Sequence, residues 1–289
     1  MIGASPRWLP NIALVGAVLG VSTSGLFIRL AESPPLVIAA YRMVFVTAIL
    51  VLILALRGER TFARIQRPDV ARLACAGLFL SAHFGLWTTS LSYTSVASAV
   101  VLVSTHPAFV AVAEVAWLGR TIPQVGALGI GLTMLGGLVI ASGEITSGQT
   151  NLFGCALAVG GALSMVGYLL IGRTLRARLD SISYSTAVFG ISGLTLLLAA
   201  WLSGASLLAP ARDVPLFLAL ALFPTIGGHT MFNWALRHLP ASVVSTSFLG
   251  EPIGASLLAW LFLGEIPATM TLLGGSVIIV GLFLTMRSL

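Results

Sequence analysis

Glu251 and Pro252 stand side by side within SFLGEPIGASLLAWLFLGE, residues 247–265, a carboxylate and a helix breaker inside a run otherwise suited to the interior of a lipid bilayer. Taking a charge out of water is costly, so an ionisable side chain at such a depth is a functional candidate by default. With a rise of about 1.5 Å per residue from a span start near residue 240, Glu251 lies about 15 Å deep, close to the midplane. Three roles are open to it: to satisfy, in protonated form, a backbone amide freed by the proline; to exchange a proton; or to touch a solute. His106 and Pro107 form the matching pair in another apolar run. If their helices meet, Glu251 and His106 share a proton or a charge.

Two further sets of side chains fall on single helix faces. His83, Trp87 and Ser90 follow the i, i+4, i+7 spacing, and His229, Asn233 and Arg237 follow i, i+4, i+8 with Trp234 adjacent. Stacking and hydrogen-bonding groups of this kind suit an amino acid or an aromatic solute in a largely apolar pocket. Each Trp alone also fits an interfacial anchor, and each His a satisfied core residue. Ser164 with Tyr168, and Ser22, Thr23 and Ser24, are weaker candidates, because membrane hydroxyls commonly bond helix to helix. Arg42 is expected to snorkel outward on its long stem, with the carboxylate of a solute as its alternative partner. Pro107, Pro252 and Pro224 with Gly227 and Gly228 are candidate hinges, since proline removes a backbone hydrogen bond and bends a helix.

The elements that must position these groups follow from composition. Hydrophobic residues are 57% of the 289 and charged residues 8%, against roughly a quarter charged in a soluble domain, so the chain is an integral membrane protein. Apolar runs of spanning length are expected near 10–31, 35–56, 70–92, 96–118, 122–142, 151–172, 183–203, 213–236, 240–263 and 268–286, an all-α bundle of ten transmembrane helices with short connections. The first of these is expected to be a span rather than a cleaved signal peptide.

All fifteen basic residues are arginine, and alternate loops carry twelve of them on one side, while Arg29 and Arg212 fall on the other. The positive-inside rule then places both termini in the cytoplasm. That bias accounts for the net charge of +6 without nucleic acid as a partner. The two cysteines, Cys75 and Cys155, have no His or Cys at ligand spacing, so neither a disulfide framework nor a metal site is expected, and no cofactor.

A shift of 145 positions lays Leu91 on Leu236, Pro107 on Pro252, Leu118-Gly119 on Leu263-Gly264, Gly129 on Gly274 and Gly136 on Gly281. The chain therefore reads as two five-helix repeats, 1–147 and 148–289. A unit with an odd number of crossings enters its second copy from the opposite side, giving an inverted-topology repeat, the architecture of many secondary transporters with a site at the midplane.

GEPIGASLLAWLFLGEIPATMTLLGGSVIIVGLFL, its weaker first copy STHPAFVAVAEVAWLGRTIPQVGALGIGLTMLGGLVI, and Arg42 in AAYRMVF together resemble the drug/metabolite transporter superfamily, EamA type. The resemblance covers essentially the whole chain. It implies a multi-pass protein of the bacterial inner membrane that carries small organic solutes, and within the family the branch resembling bacterial aromatic amino acid exporters. The copies depart from one another: His106 stands where the second has Glu251, and Arg120 where the second has Glu265.

An intramembrane enzyme would need a nucleophile with its base or a His-Glu metal set, and the sequence offers neither. The expected function is a secondary transporter exporting amino acids or related metabolites by alternating access, with proton coupling at Glu251 and His106 as a separate expectation. A carrier of other metabolites or drugs, or a facilitative channel, is the alternative.

Overall fold

The computed structural model describes residues 9–58, 65–118, 123–147, 152–176, 178–235, 247 and 250–288. Among these residues it is all helical. Eight segments are long and apolar enough to cross a membrane, and the last two helices are shorter apolar ones. Their limits agree with the runs read from hydropathy to within a few residues, except that the described part of the ninth begins at Gly250.

The first segment is broken by its own hydroxyls. α1 (Leu9–Ser22) and α2 (Ser24–Leu30) meet at Thr23, where Ser22 Oγ donates to the Val18 carbonyl and Thr23 Oγ1 to that of Gly20, both at 2.7 Å. Such back-bonding competes with the backbone ladder and bends a helix. α3 (Pro35–Arg57) starts on a proline whose missing N–H costs nothing at that position, and Gly58 ends it in the left-handed conformation at φ 62°. α4 (Arg67–Ser90) opens with a reciprocal capping box between Gln66 and Asp69.

The fourth segment is discontinuous, which alters the reading of Pro107. α5 (Val96–Val103) ends in a turn at Ser104 and Thr105, and α6 (His106–Leu118) starts beyond it. Pro107 thus occupies the first turn of a new helix rather than kinking the middle of a continuous one. Pro252 lies in α12, whose described residues run Gly250–Leu263, and the two residues before Gly250 lie outside the described ones. The remaining helices are α7 (Gln124–Ser147), α8 (Leu152–Arg176), α9 (Ser181–Leu202), α10 (Val214–Leu220), α11 (Met231–Ala235) and α13 (Thr269–Ser288).

Between α10 and α11, Ala221–Thr230 forms a π-helical segment around Pro224. The hydroxyls of Thr225 and Thr230 donate to the carbonyls five residues back, Leu220 at 2.8 Å and Thr225 at 3.2 Å. They hold the wider turn that a proline and two glycines permit. A π turn inside an α-helix is costly and is found mostly where function requires it.

Glycines set the helix contacts. A Cβ on Gly136 would meet the Gly274 carbonyl oxygen at 2.5 Å, and one on Gly274 would meet that of Gly136 at 2.5 Å. Gly129 and Gly281 repeat the relationship, at 2.5 and 2.6 Å. The contacts run antiparallel along α7 and α13, and a shift of 145 positions carries one pair into the other. Where lipid removes the hydrophobic drive between helices, close approach through small residues holds them together. Outward faces carry Leu19, Leu194 and Phe262, each more than 60% exposed, which suits hydrocarbon rather than water.

Candidate functional site

The polar residues of six segments converge on a small central cavity. α3 supplies Arg42; α4 supplies His83, Phe84 and Trp87; the break between α5 and α6 supplies Ser104 and His106; the π segment supplies Pro224 and His229; α12 supplies Glu251; and Ser24 comes from α2. The room inside is about 30 Å³, enough for a water or two and too little for an amino acid. In this conformation the site is too narrow for such a solute.

Arg42 is its organising group. Only 2% of it is exposed, so it does not snorkel outward as expected. The reason is a set of partners deep in the bundle: Arg42 Nε donates to Thr225 Oγ1 at 2.8 Å, Nη1 donates to Ser24 Oγ at 3.1 Å, and the guanidinium lies 4.2 Å above the Phe84 ring. A cation over an aromatic face is attracted by the ring quadrupole, more strongly where water is excluded. The same Thr225 hydroxyl bonds Leu220 within the π turn. Arg42 is therefore coupled to the π-helical stretch at the cavity.

Phe84 also orders two histidines, with edge contacts to His83 at 4.9 Å and His229 at 5.9 Å. His83 Nδ1 lies 2.9 Å from the Gly161 carbonyl oxygen, an acceptor, so that nitrogen carries the proton in the bond. The His106 Nδ1 is 3.2 Å from the Val103 carbonyl, which fixes its ring at the helix break. Among the described residues, Trp87 Nε1 and Ser104 Oγ are buried in the cavity wall without a hydrogen-bond partner. Buried polar groups left this way are rare and call for an explanation.

Of the residues chosen from sequence, His83, Trp87, His106, His229, Glu251 and Pro224 meet at this cavity. Tyr168 does not: it is 5% exposed and packs its ring against Tyr184, centroids 6.2 Å apart. Ser164 turns its hydroxyl to the Gly160 carbonyl at 2.9 Å, satisfying its own helix. Trp234 and Gly227 line a separate cleft of about 910 Å³, with Ile12, Arg57 and Asp180, at the arginine-rich end. Gly228 packs against Val21 of α1. The side chain of Asn233 lies outside the described residues. Phe84, Ser104 and Thr225 were absent from the sequence reading. An apolar ring and isolated hydroxyls carry no spacing signal, and only the packing reveals them.

Both ends of the bundle are tied across the halves. Arg29 pairs with Glu265 at 3.1 Å and donates to the Thr94 carbonyl at 3.2 Å, while Glu265 accepts from the Val96 N–H at 3.0 Å. Arg212 pairs with Glu32. The two arginines that depart from the charge bias are thus each matched by a glutamate, a role the sequence did not assign. Asp213, fully buried, accepts from the Ser33 N–H at 2.7 Å and from the Ser33 hydroxyl at 2.5 Å. At the arginine-rich end Asp69 pairs with Arg178, which also donates to Gln66 at 3.2 Å.

Comparison with known proteins adds the family. The EamA-like transporter family model matches residues 8–142 and again 152–287. The chain is 26% identical, over 91% of its length and 92% of the other's, to the pseudopaline exporter CntI of Pseudomonas aeruginosa. It is 28% identical to the uncharacterised transporter YwfM of Bacillus subtilis, a match spanning 51% of this chain and 50% of that one. A crystal structure shares the fold across 98% of both chains, with a TM-score of 0.69 at 17% identity.

Proposed function

The chain belongs to the EamA-like transporter family, and from that premise we propose that it is a secondary carrier which exports amino acids or related metabolites by alternating access around the central cavity. Its ten spans form two inverted repeats, 1–147 and 148–289, in a bacterial inner membrane with both termini in the cytoplasm. The reciprocal antiparallel contacts of Gly129 with Gly281 and Gly136 with Gly274 support the inversion, because an exchange of this kind needs a two-fold axis across the helices. The excess of arginine at one end supports the orientation.

The observation that carries the reading is the composition of the cavity wall. Arg42, His83 and His106 come from the first repeat, and His229 and Glu251 from the second. Relative motion of the repeats opens such a site to one side at a time. The cleft beside Arg57 and Asp180 is the approach from the cytoplasm, and the ties of Glu32, Arg212 and Asp213 close the opposite face. Uptake of labelled aromatic and aliphatic amino acids into liposomes bearing the purified protein tests the reading. Saturable uptake is expected, and the same slow uptake in protein-free liposomes would refute it.

A further inference from the structure

We infer that the cavity holds the carboxylate of a zwitterionic solute on Arg42, with Trp87 Nε1 and Ser104 Oγ as its other donors and Glu251 facing the ammonium. The inference rests on the carrier reading and names the chemistry of its cargo.

The argument starts from donors without acceptors. Two bonds, to Thr225 and Ser24, leave N–H groups of the Arg42 fork unused, and Arg42 lines the cavity. Trp87 is 3% exposed and Ser104 5%, and the indole N–H and the hydroxyl at the same wall have no partner. An indole N–H can only donate and a hydroxyl donates readily. A ligand that satisfies all three groups presents acceptor oxygens. A planar carboxylate matches the guanidinium fork, which binds such groups through parallel charge-assisted bonds.

Charge selects the carboxylate over a phosphate. Arg42 is the one arginine among the described lining residues, beside His83, His106 and His229, and Glu251 stands in the same wall. A phosphate dianion would meet one permanent cation and be repelled by the carboxylate, whereas a zwitterion meets a complementary charge at each end. The unbound guanidinium already has Thr225, Ser24 and the Phe84 face, which explains how it stays buried between transport cycles. Admission of a whole amino acid requires the cavity to widen, and the Arg42–Thr225 bond places the π segment, the element most able to change its turn, directly on the ligand-binding group.

The test uses the full chain in detergent, read by thermal unfolding and by intrinsic tryptophan fluorescence. The probes are L-phenylalanine, L-leucine and L-alanine, each beside its carboxamide and its decarboxylated amine. The wild type is expected to be stabilised by at least one acid, with its amide and amine at least about tenfold weaker, the scale of a charge-assisted bond lost. Arg42→Lys keeps the charge and loses the fork, and weakens the acid about tenfold; Ser104→Ala weakens it several-fold. Equal binding of acid and amide, or no binding by any acid, overturns the inference. Counterflow on the same preparation separates the two readings. Counterflow of a solute without carboxylate selectivity leaves the carrier standing and removes the role of Arg42, whereas carboxylate binding without counterflow does the reverse.

Discussion

Asp69 and Asp213, 144 positions apart, each begin a helix of one half and reach across to the loop before the second helix of the other. Asp69 engages Arg178 ahead of α9, and Asp213 engages Glu32 and Ser33 ahead of α3. Both are buried, at 1% and 0% exposure. They lie at opposite ends of the bundle: Asp69 sits in the first turn of α4, which runs toward Thr94, and Thr94 bonds Arg29 on the side of Glu265. One device therefore ties the two halves at each face.

If these ties are gates, each restrains opening on its own side. Asp213→Asn is expected to expose the cavity to the face opposite the arginine-rich end, and Asp69→Asn to the arginine-rich face. Losing a buried charged acceptor costs about 1–3 kcal/mol, a several-fold to hundredfold change in an opening equilibrium. A cysteine in place of Val103, in a background lacking Cys75 and Cys155, reports this through a membrane-impermeant thiol reagent applied from either side. Accelerated labelling from the same side in both variants would show that the ties are not gates.

The contact of α7 with α13 predicts a sharp positional contrast. A Cβ at Gly129 would stand 2.5 Å from the Gly281 carbonyl, while one at Gly131, two residues along, would meet nothing within 4 Å. Gly129→Ala should cost about 1–3 kcal/mol through overpacking, and Gly131→Ala should be neutral or stabilising by up to about 1 kcal/mol. Because the contact is reciprocal, with a Cβ at Gly281 standing 2.6 Å from the Gly129 carbonyl, Gly281→Ala should match Gly129→Ala. Denaturant titration in mixed micelles measures all three, and a Gly281→Ala as mild as Gly131→Ala would contradict the reciprocal packing.

Much of the fold was legible, because a bilayer demands long apolar helices and the twin Pro and Leu-Gly registers marked the repeat. Less of the site was legible. His83, Trp87, His106, His229 and Glu251 stood out because polar groups are rare in such runs, and the structure brings them to one wall. Arg42 was placed at the surface because a long stem beside an interface permits it; its inward turn depends on Thr225, Ser24 and Phe84, two of them distant in sequence. Tyr168 and Trp234 lie away from that wall, Tyr168 against Tyr184 and Trp234 in the separate cleft, because residue type and spacing do not say which space an aromatic ring will join. Proline alone could not distinguish a kink from the start of a half-helix or from a π turn. Those outcomes depend on the hydroxyls of Thr105 and Thr225 capping the neighbouring carbonyls.

Proton coupling makes a separable prediction. Glu251 and His106 line the same cavity from opposite repeats, the placement that the expected coupling requires. Solute flux in liposomes is expected to rise with an imposed pH gradient in the wild type, and Glu251→Gln should remove that dependence, while the exchange that remains is weaker because the ammonium has lost its carboxylate. Flux indifferent to the gradient but weakened by the substitution would assign Glu251 to the solute alone, and flux indifferent to both would contradict coupling through Glu251.

Counterflow tests the central claim most directly. Liposomes bearing the purified protein are loaded with unlabelled L-phenylalanine or L-leucine, and entry of the labelled form is followed without any ion gradient. A carrier that returns faster when loaded predicts transient accumulation of label above its outside concentration. Entry that only equilibrates, at a rate independent of the internal solute, would describe a pore and contradict alternating access.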